Sequence, residues 1–278
     1  MCLAESSRFP EVEEKMKALI NNRIVKKLSR DEFDASESPI DTEYFGIPSA
    51  RVVLKKACLD GRIQNDLLGF LQDFEFITII NKANDPSNNQ WLGEKTSAFL
   101  TDINMQLSKK VSGTEKHDDH FLMVSDKFPE DSRIIQIAES SFKFSRFLND
   151  PYLPPEKARL IYGDITKKAF GKAGRFFVVF RIAEFIAGFL LFSINVPASS
   201  STIELIAIDL KQNGQGIGRS LIRSMEHYVS GEGIETIKVG TQLDNTSALK
   251  FYTLNGFNYF EQNSIYHYWP LKGQMNIS

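Results

Sequence analysis

A chain of 278 residues is too long for one small core and sets an expectation of two domains. Its 42% hydrophobic and 24% charged residues are ordinary for a globular protein, and a formal net charge of -2 gives no general attraction to nucleic acid or anionic lipid. Two cysteines, Cys2 and Cys58, exclude a disulfide framework, and the polar, acidic start MCLAESSRFPEVEEK does not read as a secretory signal, so the expected compartment is the cytoplasm.

In chain order, Val12, Met16, Leu19, Ile20, Ile24 and Leu28 form a helical stripe behind Pro10, read as a helical extension over residues 1–35. A smaller N-terminal α/β unit is expected over 36–126. It comprises a strand (ARVVLKKA), a helix (IQNDLLGFLQDF), a strand (EFITIINKA), a polar loop from Asn84 to Gln90, a helix near 96–111, a charged loop and the short apolar FLMV. The polar, proline-containing SDKFPEDSR marks the boundary, and the second domain is expected over 132–272. There the order is two helices, three strands, helix, strand, helix, strand. No internal repeat stands out.

The segment Phe176 to Ile194, FFVVFRIAEFIAGFLLFSI, is long enough to span a bilayer. However, Arg181 and Glu184 lie mid-run, each costing about 2.5–3.5 kcal/mol at a bilayer centre. Phenylalanine and β-branched residues on either side of those charges predict a buried β-hairpin instead, so no membrane partner is expected.

The densest chemistry lies between Ile203 and Tyr252. An apolar strand carrying one carboxylate (IELIAID) feeds the glycine loop NGQGIG. An amphipathic helix with Ile217, Leu221, Met225 and Val229 at helical spacing follows, then a strand (TIKVGTQ), then NTSALKFY. Glycines let the backbone approach a ligand, and a helix N-terminus favours an anion. A plain turn is the bland alternative. A dinucleotide loop would need G-x-G-x-x-G with an acidic residue ending the next strand, and a Walker loop would need Gly-Lys-Ser/Thr; neither pattern is present. The preferred reading is a seat for the pyrophosphate of coenzyme A. With a strand carboxylate and a phenol two turns into the next helix, the set suits acyl transfer from a phosphate-bearing thioester to an amine.

Asn213-Gly214-Gln215-Gly216-Ile217-Gly218 resembles the pyrophosphate motif of GNAT N-acetyltransferases, Arg/Gln-x-x-Gly-x-Gly/Ala, with Asn213 at the first position. Asn245-x-x-Ala248-x-x-x-Tyr252 is similar to the family's second signature helix. VGTQLDNTSALKFYTLNGF with the later IYHYW, Ser145-Arg146-Phe147, and upstream DTEYFGIPSARV resemble dTDP-fucosamine N-acetyltransferases, which acetylate the amine of a 4-amino-4,6-dideoxyhexose carried on dTDP. The resemblance implies an α/β (α+β) GNAT fold, a mixed central sheet flanked by helices, beside the smaller N-terminal domain. It also implies acetyl-CoA as co-substrate, a dTDP-linked amino-deoxy sugar as acceptor, and a homodimer.

Within that reading, Ile206, Ala207 and Ile208 are expected to offer main-chain contacts to the pantetheine arm, as an added strand would. Asn213 to Gly218 would receive the pyrophosphate, and Asn245, Ala248 and Tyr252, on one helix face, would border the cofactor. The resemblance assigns Tyr252 to protonate the departing thiolate. Glu204 is a candidate base for the amine, directly or through water, against the bland reading of an ion-paired surface glutamate. Arg146 could contact substrate phosphate or merely form a surface salt bridge, and Thr241 and Gln242, at a strand end, are candidate acceptor contacts. His117-Asp118-Asp119-His120 reads as a solvated loop, so no metal is expected. The leading reading is an acetyl-CoA-dependent N-acetyltransferase of a nucleotide amino sugar with a sequential mechanism. Its rivals are acetylation of a protein or other small amine, and a non-catalytic acyl-CoA-binding module.

Overall fold

A computed structural model describes residues 25–57, 60–112 and 122–272. The N-terminal half runs β1 (Lys27–Ser29), β2 (Phe33–Glu37), α1 (Pro39–Phe45), β3 (Ser49–Leu54), α2 (Gly61–Leu71), β4 (Phe76–Asn81), α3 (Pro86–Lys95) and β5 (Phe99–Lys110). The C-terminal half begins with β6 (Leu122–Ser125), α4 (Ser132–Ser141), α5 (Pro155–Lys167), β7 (Arg175–Ile182), β8 (Phe185–Asn195) and β9 (Ser200–Ile208). It continues with α6 (Ile217–Gly231), β10 (Thr236–Gln242), α7 (Thr246–Leu254) and β11 (Asn258–Tyr268). All strands join one mixed sheet in the order β1-β2-β3-β4-β11-β5-β10-β9-β8-β7-β6.

That order is nearly a palindrome. β3 and β4 are parallel and enclose α2, as β9 and β10 are parallel and enclose α6. Outside them β1 and β2 run antiparallel, as do β7 and β8. At the centre β5 and β11 are exchanged: β5 lies between β10 and β11, and β11 lies between β4 and β5. The chain thus contains an internal structural repeat that the sequence reading did not find. Each half is left with a gap that the other half's last strand fills.

Four sequence expectations change. The helix expected near 96–111 is the strand β5, whose Ile103, Met105 and Leu107 alternate with Asp102, Asn104 and Gln106. Period-two alternation was masked by its length. The polar loop from Asn84 to Gln90 is mostly α3: Pro86 opens it, and the Asp85 side chain accepts from the Asn88 N–H at 3.0 Å. The helical stripe at 11–28 lies outside the described residues up to 24, and its far end falls in the strand β1. The missing repeat is the fourth. The His117 to His120 cluster also lies outside the described residues.

Both faces of the sheet are covered in its C-terminal half. On one face Leu190 and Phe192 of β8 pack with Ile217, Leu221, Met225 and Val229 of α6. On the other, Ile186, Phe189 and Leu191 pack with Ile134, Ile137 and Ala138 of α4. A strand buried on both sides must be apolar throughout, which explains the membrane-like run. It folds back at Ala183 (φ 52°) into the expected hairpin. Among the described residues no helix is long and apolar enough to cross a membrane.

The halves are also joined by a buried ion pair. Glu226 of α6, almost fully buried, accepts from Lys109 Nζ of β5 at 2.6 Å and from Ser112 N–H and Oγ at 3.2 Å. A fragment beginning at residue 122 would therefore lack the strand between β10 and β11 and leave Glu226 uncompensated. In scanning calorimetry it should show no cooperative transition where the full chain shows one; a sharp transition in the fragment would contradict the exchange.

Candidate active site

β9 and β10 pair from Thr236–Ser200 to Val239–Ile203 and then separate. Two features force the parting. Ile203 is paired with Phe192 and Leu205 with Leu191, so Glu204 is an extra residue in a β-bulge, which bends and twists its strand. Meanwhile β10 pairs along its whole length with β5, from Thr236–Lys110 to Gln242–Asn104. β9 leaves and β10 stays.

The opening is a cavity of about 550 Å³, a size typical of small-molecule sites. One wall is Glu204 to Ile208 of β9, including Ile206, Ala207 and Ile208; the other is Val239, Gly240, Thr241 and Gln242 of β10. Asn245, Ala248, Phe251 and Tyr252 close one side, and Asn213 and Gly214 close an end. The expected residues from β9, β10 and α7 are therefore brought together, along with a group that the sequence reading missed. Ser141, the last residue of α4, and Phe142, Lys143 and Phe144 just after it line the same cavity, as does Tyr162 of α5. The only sequence signal there was a basic residue between two aromatics.

Gln215, Gly216, Ile217 and Gly218 are not on the cavity wall but at its rim, in the entry to α6. Gly214 (φ 81°) and Gly216 (φ 80°) are left-handed, a region that favours glycine. Gly216 is the N-cap and has no side chain to cap the helix, so the first-turn N–H groups of Ile217, Gly218 and Arg219 lack intrahelical acceptors. Ile217 buries its side chain in the core and can offer a ligand only its backbone. A Cβ on Gly218 would fall 3.0 Å from the Phe251 ring and 3.2 Å from Ile208 Cδ1, so glycine lets α6 close on β9 and α7. Uncapped amides beside a strand with an unpaired edge fit a diphosphate joined to an extended amide-bearing arm.

The equivalent place in the N-terminal half is closed. β3 and β4 remain paired from Ser49–Phe76 to Leu54–Asn81. The first turn of α2 is capped by its own carboxylate: Asp60 accepts from the Arg62 N–H at 2.7 Å. The molecule has one such seat among its described residues.

Tyr252 is 5% exposed, and its ring meets Phe251 at 5.3 Å and Phe257 at 5.5 Å. Burial pushes its phenol well above the ordinary range, so it retains its proton at neutral pH and can donate it. Asn245 differs from expectation: it is not on the face of α7 but caps it, accepting from Ala248 N–H at 3.1 Å and from Ser247 Oγ at 2.9 Å. Glu204 faces the cavity, but its carboxylate is 3.3 Å from Arg175 Nε. Thr241 is buried and Gln242 half-buried at the end of β10. Arg146 is not on the cavity wall; it lies three residues beyond Lys143, on the segment that crosses the sheet.

That segment is firmly tied. Asp150 is buried and hydrogen-bonded to His267 Nδ1 at 2.6 Å, and it accepts from Trp269 Nε1 at 3.0 Å. Burial opposes its charge, yet the bonds from His267, the Tyr152 N–H and Trp269 outweigh it and hold the carboxyl below its usual range. Burial likewise lowers His267. His267 is thus a structural anchor.

Residues 135–257 match the acetyltransferase (GNAT) family. The chain is 22% identical over 203 residues to the spore coat polysaccharide biosynthesis protein SpsD of Bacillus subtilis (strain 168), covering 73% of this chain and 69% of that protein. Among solved structures, a GCN5-related N-acetyltransferase from Kribbella flavida is similar at TM-score 0.58 and 10% identity, over 95% of this chain and 96% of that one. A tandem GNAT protein from the clavulanic acid biosynthesis pathway is similar at TM-score 0.55 and 13% identity, over 87% of this chain and 85% of that one. These structural likenesses show the fold.

The single open seat makes a stoichiometric prediction. Calorimetric titration with coenzyme A should give one site per chain, and Gly216→Val, which strains the loop and crowds its amides, should weaken that binding by about tenfold or more. Two equivalent sites, or an unchanged affinity, would contradict the assignment.

Proposed function

We propose that this chain, whose residues 135–257 match the acetyltransferase (GNAT) family, is an N-acetyltransferase that transfers acetyl from acetyl-CoA to the amine of a dTDP-linked amino-deoxy sugar. The observation that carries the acetyl-CoA half is the parted pair β9 and β10, with uncapped amides at one end of the gap and a protonated phenol on its wall. The sugar half is supported by the residue-level resemblance and by the similarity to SpsD, a protein named for polysaccharide biosynthesis. In this reading residues 132–272 do the chemistry, and residues 36–126 complete their sheet.

Acetyl-CoA supplies an activated acyl carbon. The chain's own groups hold and orient it: backbone amides of Gly216, Ile217 and Gly218 receive the pyrophosphate, and Ile206 and Ile208 pair with the amide-bearing arm along the free edge of β9. The amine forms the new N–C bond as the C–S bond breaks, in one bound complex with no acyl-enzyme. Tyr252 supplies a proton to the departing sulfur. Glu204, held by Arg175, takes the proton that the amine must lose, through water. Thr241 and Gln242 border the acceptor, and Asn245 holds α7 so that Ala248 and Tyr252 face the gap.

Tyr252→Phe keeps the ring packing and removes the donor. It should lower kcat by about 100-fold or more while the calorimetric Kd for acetyl-CoA stays within about threefold. An unchanged kcat would refute the acid role. Turnover measured against dTDP-amino sugars, lysine-containing peptides and polyamines tests the acceptor; faster acetylation of a peptide or polyamine would overturn the sugar reading.

A further inference from the structure

Residues at the same level on neighbouring strands point to the same side of a sheet. Gln106 of β5 is level with Gly240, and Asn104 with Gln242; both β10 residues line the cavity. The contact is close, since a Cβ on Gly240 would meet Gln106 Nε2 at 2.7 Å and Asn104 Oδ1 at 3.0 Å. Gln106 and Asn104 are also hydrogen-bonded to each other. Asp102, two residues along β5, continues this row beside the end of β10, where the Leu243 N–H donates to Ile103 O at 2.8 Å. A polar strip on the exchanged strand therefore runs alongside the β10 wall of the cavity.

Two opposite charges near that strip are left unmatched. Asp102 is half-buried, and burial pushes its carboxyl up to about 6, with Arg146 opposing the shift and Asp244 adding to it. Arg146 has a buried Nε with no hydrogen-bond partner, and its guanidinium sits 4.1 Å from the centre of the Phe147 ring. No ion pair joins Arg146 to Asp102 or to any other carboxylate among the described residues. Holding both charges apart is costly, and the segment carrying Arg146 is fixed in place. Asn149 Nδ2 donates to Thr101 O of β5 at 2.8 Å, and Asp150 is locked to β11 through His267. Partly desolvated groups kept from each other are what a polar ligand would compensate.

We propose that Asp102, Asn104 and Gln106 of β5, together with Arg146, form the platform that binds the acceptor. The carboxylate and amides take ring hydroxyls, the guanidinium takes the sugar phosphate, and the N-terminal half thereby sets acceptor specificity. The chemistry matches the groups. A carboxylate beside carboxamides satisfies hydroxyls that both donate and accept, and arginine's fork pairs with phosphate oxygens. This inference rests on the proposed sugar acceptor for its ligand, but the position of the platform does not.

The test is steady-state kinetics on the full chain with acetyl-CoA and two acceptors: a dTDP-linked 4-amino-4,6-dideoxyhexose, and the methyl glycoside of the same sugar, which lacks phosphate. Arg146→Gln should raise KM for the dTDP sugar by about tenfold or more, the worth of one hydrogen bond to a charged group, and leave the glycoside unchanged. Arg146→Lys should restore part of that loss. Asp102→Asn should raise KM for both acceptors by a similar factor. In all three variants KM for acetyl-CoA should stay within about twofold, which also reports that they are folded. Unchanged acceptor KM values in Asp102→Asn and Arg146→Gln would overturn the platform. If the wild type instead acetylates a peptide or polyamine, the sugar reading falls; the platform then survives only if Asp102→Asn raises KM for that amine.

Discussion

Four cross-strand pairs hold β9 to β10, and after Val239–Ile203 there are none. The rest of the molecule depends on that parting. A parallel pair inside a sheet normally satisfies its backbone groups all the way along, because a buried N–H or C=O left alone costs about 1–3 kcal/mol. Here the bulge at Glu204 turns one strand away, while the other is held by its full-length pairing with β5. The unpaired edge persists because it opens on a cavity rather than on packed side chains. Such an edge is a template for an extended chain of amides, and the entry to α6 presents uncapped backbone N–H groups at its end.

The two halves show what that constraint requires by differing in it. They share one layout, strand–helix–strand–helix–strand, around the exchanged β5 and β11. In the N-terminal half the corresponding strands never separate, and Asp60 supplies its own carboxylate to the helix N-terminus where a ligand's anion would sit. One half is open and the other is sealed. The sealed half contributes instead a long strand whose alternating residues pack on α6 and α7 with one face and turn a row of carboxylate and amide groups outward with the other.

Much of the open half was legible in the sequence because its signals are local. The glycine loop, the apolar stripe of α6, the placement of Ala248 and Tyr252 and the hairpin of β7 and β8 are each read within one element and its turn. What stayed hidden was nonlocal. β5 carries charged and amide residues on one face, and without knowing that β10 and β11 flank it, FLTDINMQLSKK reads as a helix as readily as a strand. Asn84 to Gln90 is polar enough for a loop, yet the cap from Asp85 and the proline at the first turn were signals that could have found α3. Glu204 was legible as a strand carboxylate but not as the bulge itself, since a bulge is defined by its partner strand. Lys143 and Phe144 line the cavity on a segment tied at one end by Ser141 Oγ to Ile208 O and at the other by Asp150 to His267, residues 117 apart in the chain.

The exchange of central strands also dictates an order of assembly. β11 leaves the ribosome after every other described strand, yet it belongs in the middle of the sheet, not at an edge. Until it arrives, β4 and β5 of the nascent chain each present an open edge, and the pairing of β4 with β11, from Asn81–Ser264 to Ile77–Tyr268, closes a loop over most of the polypeptide. A chain stalled before β11 emerges therefore offers sticky edges to its neighbours instead of a closed sheet.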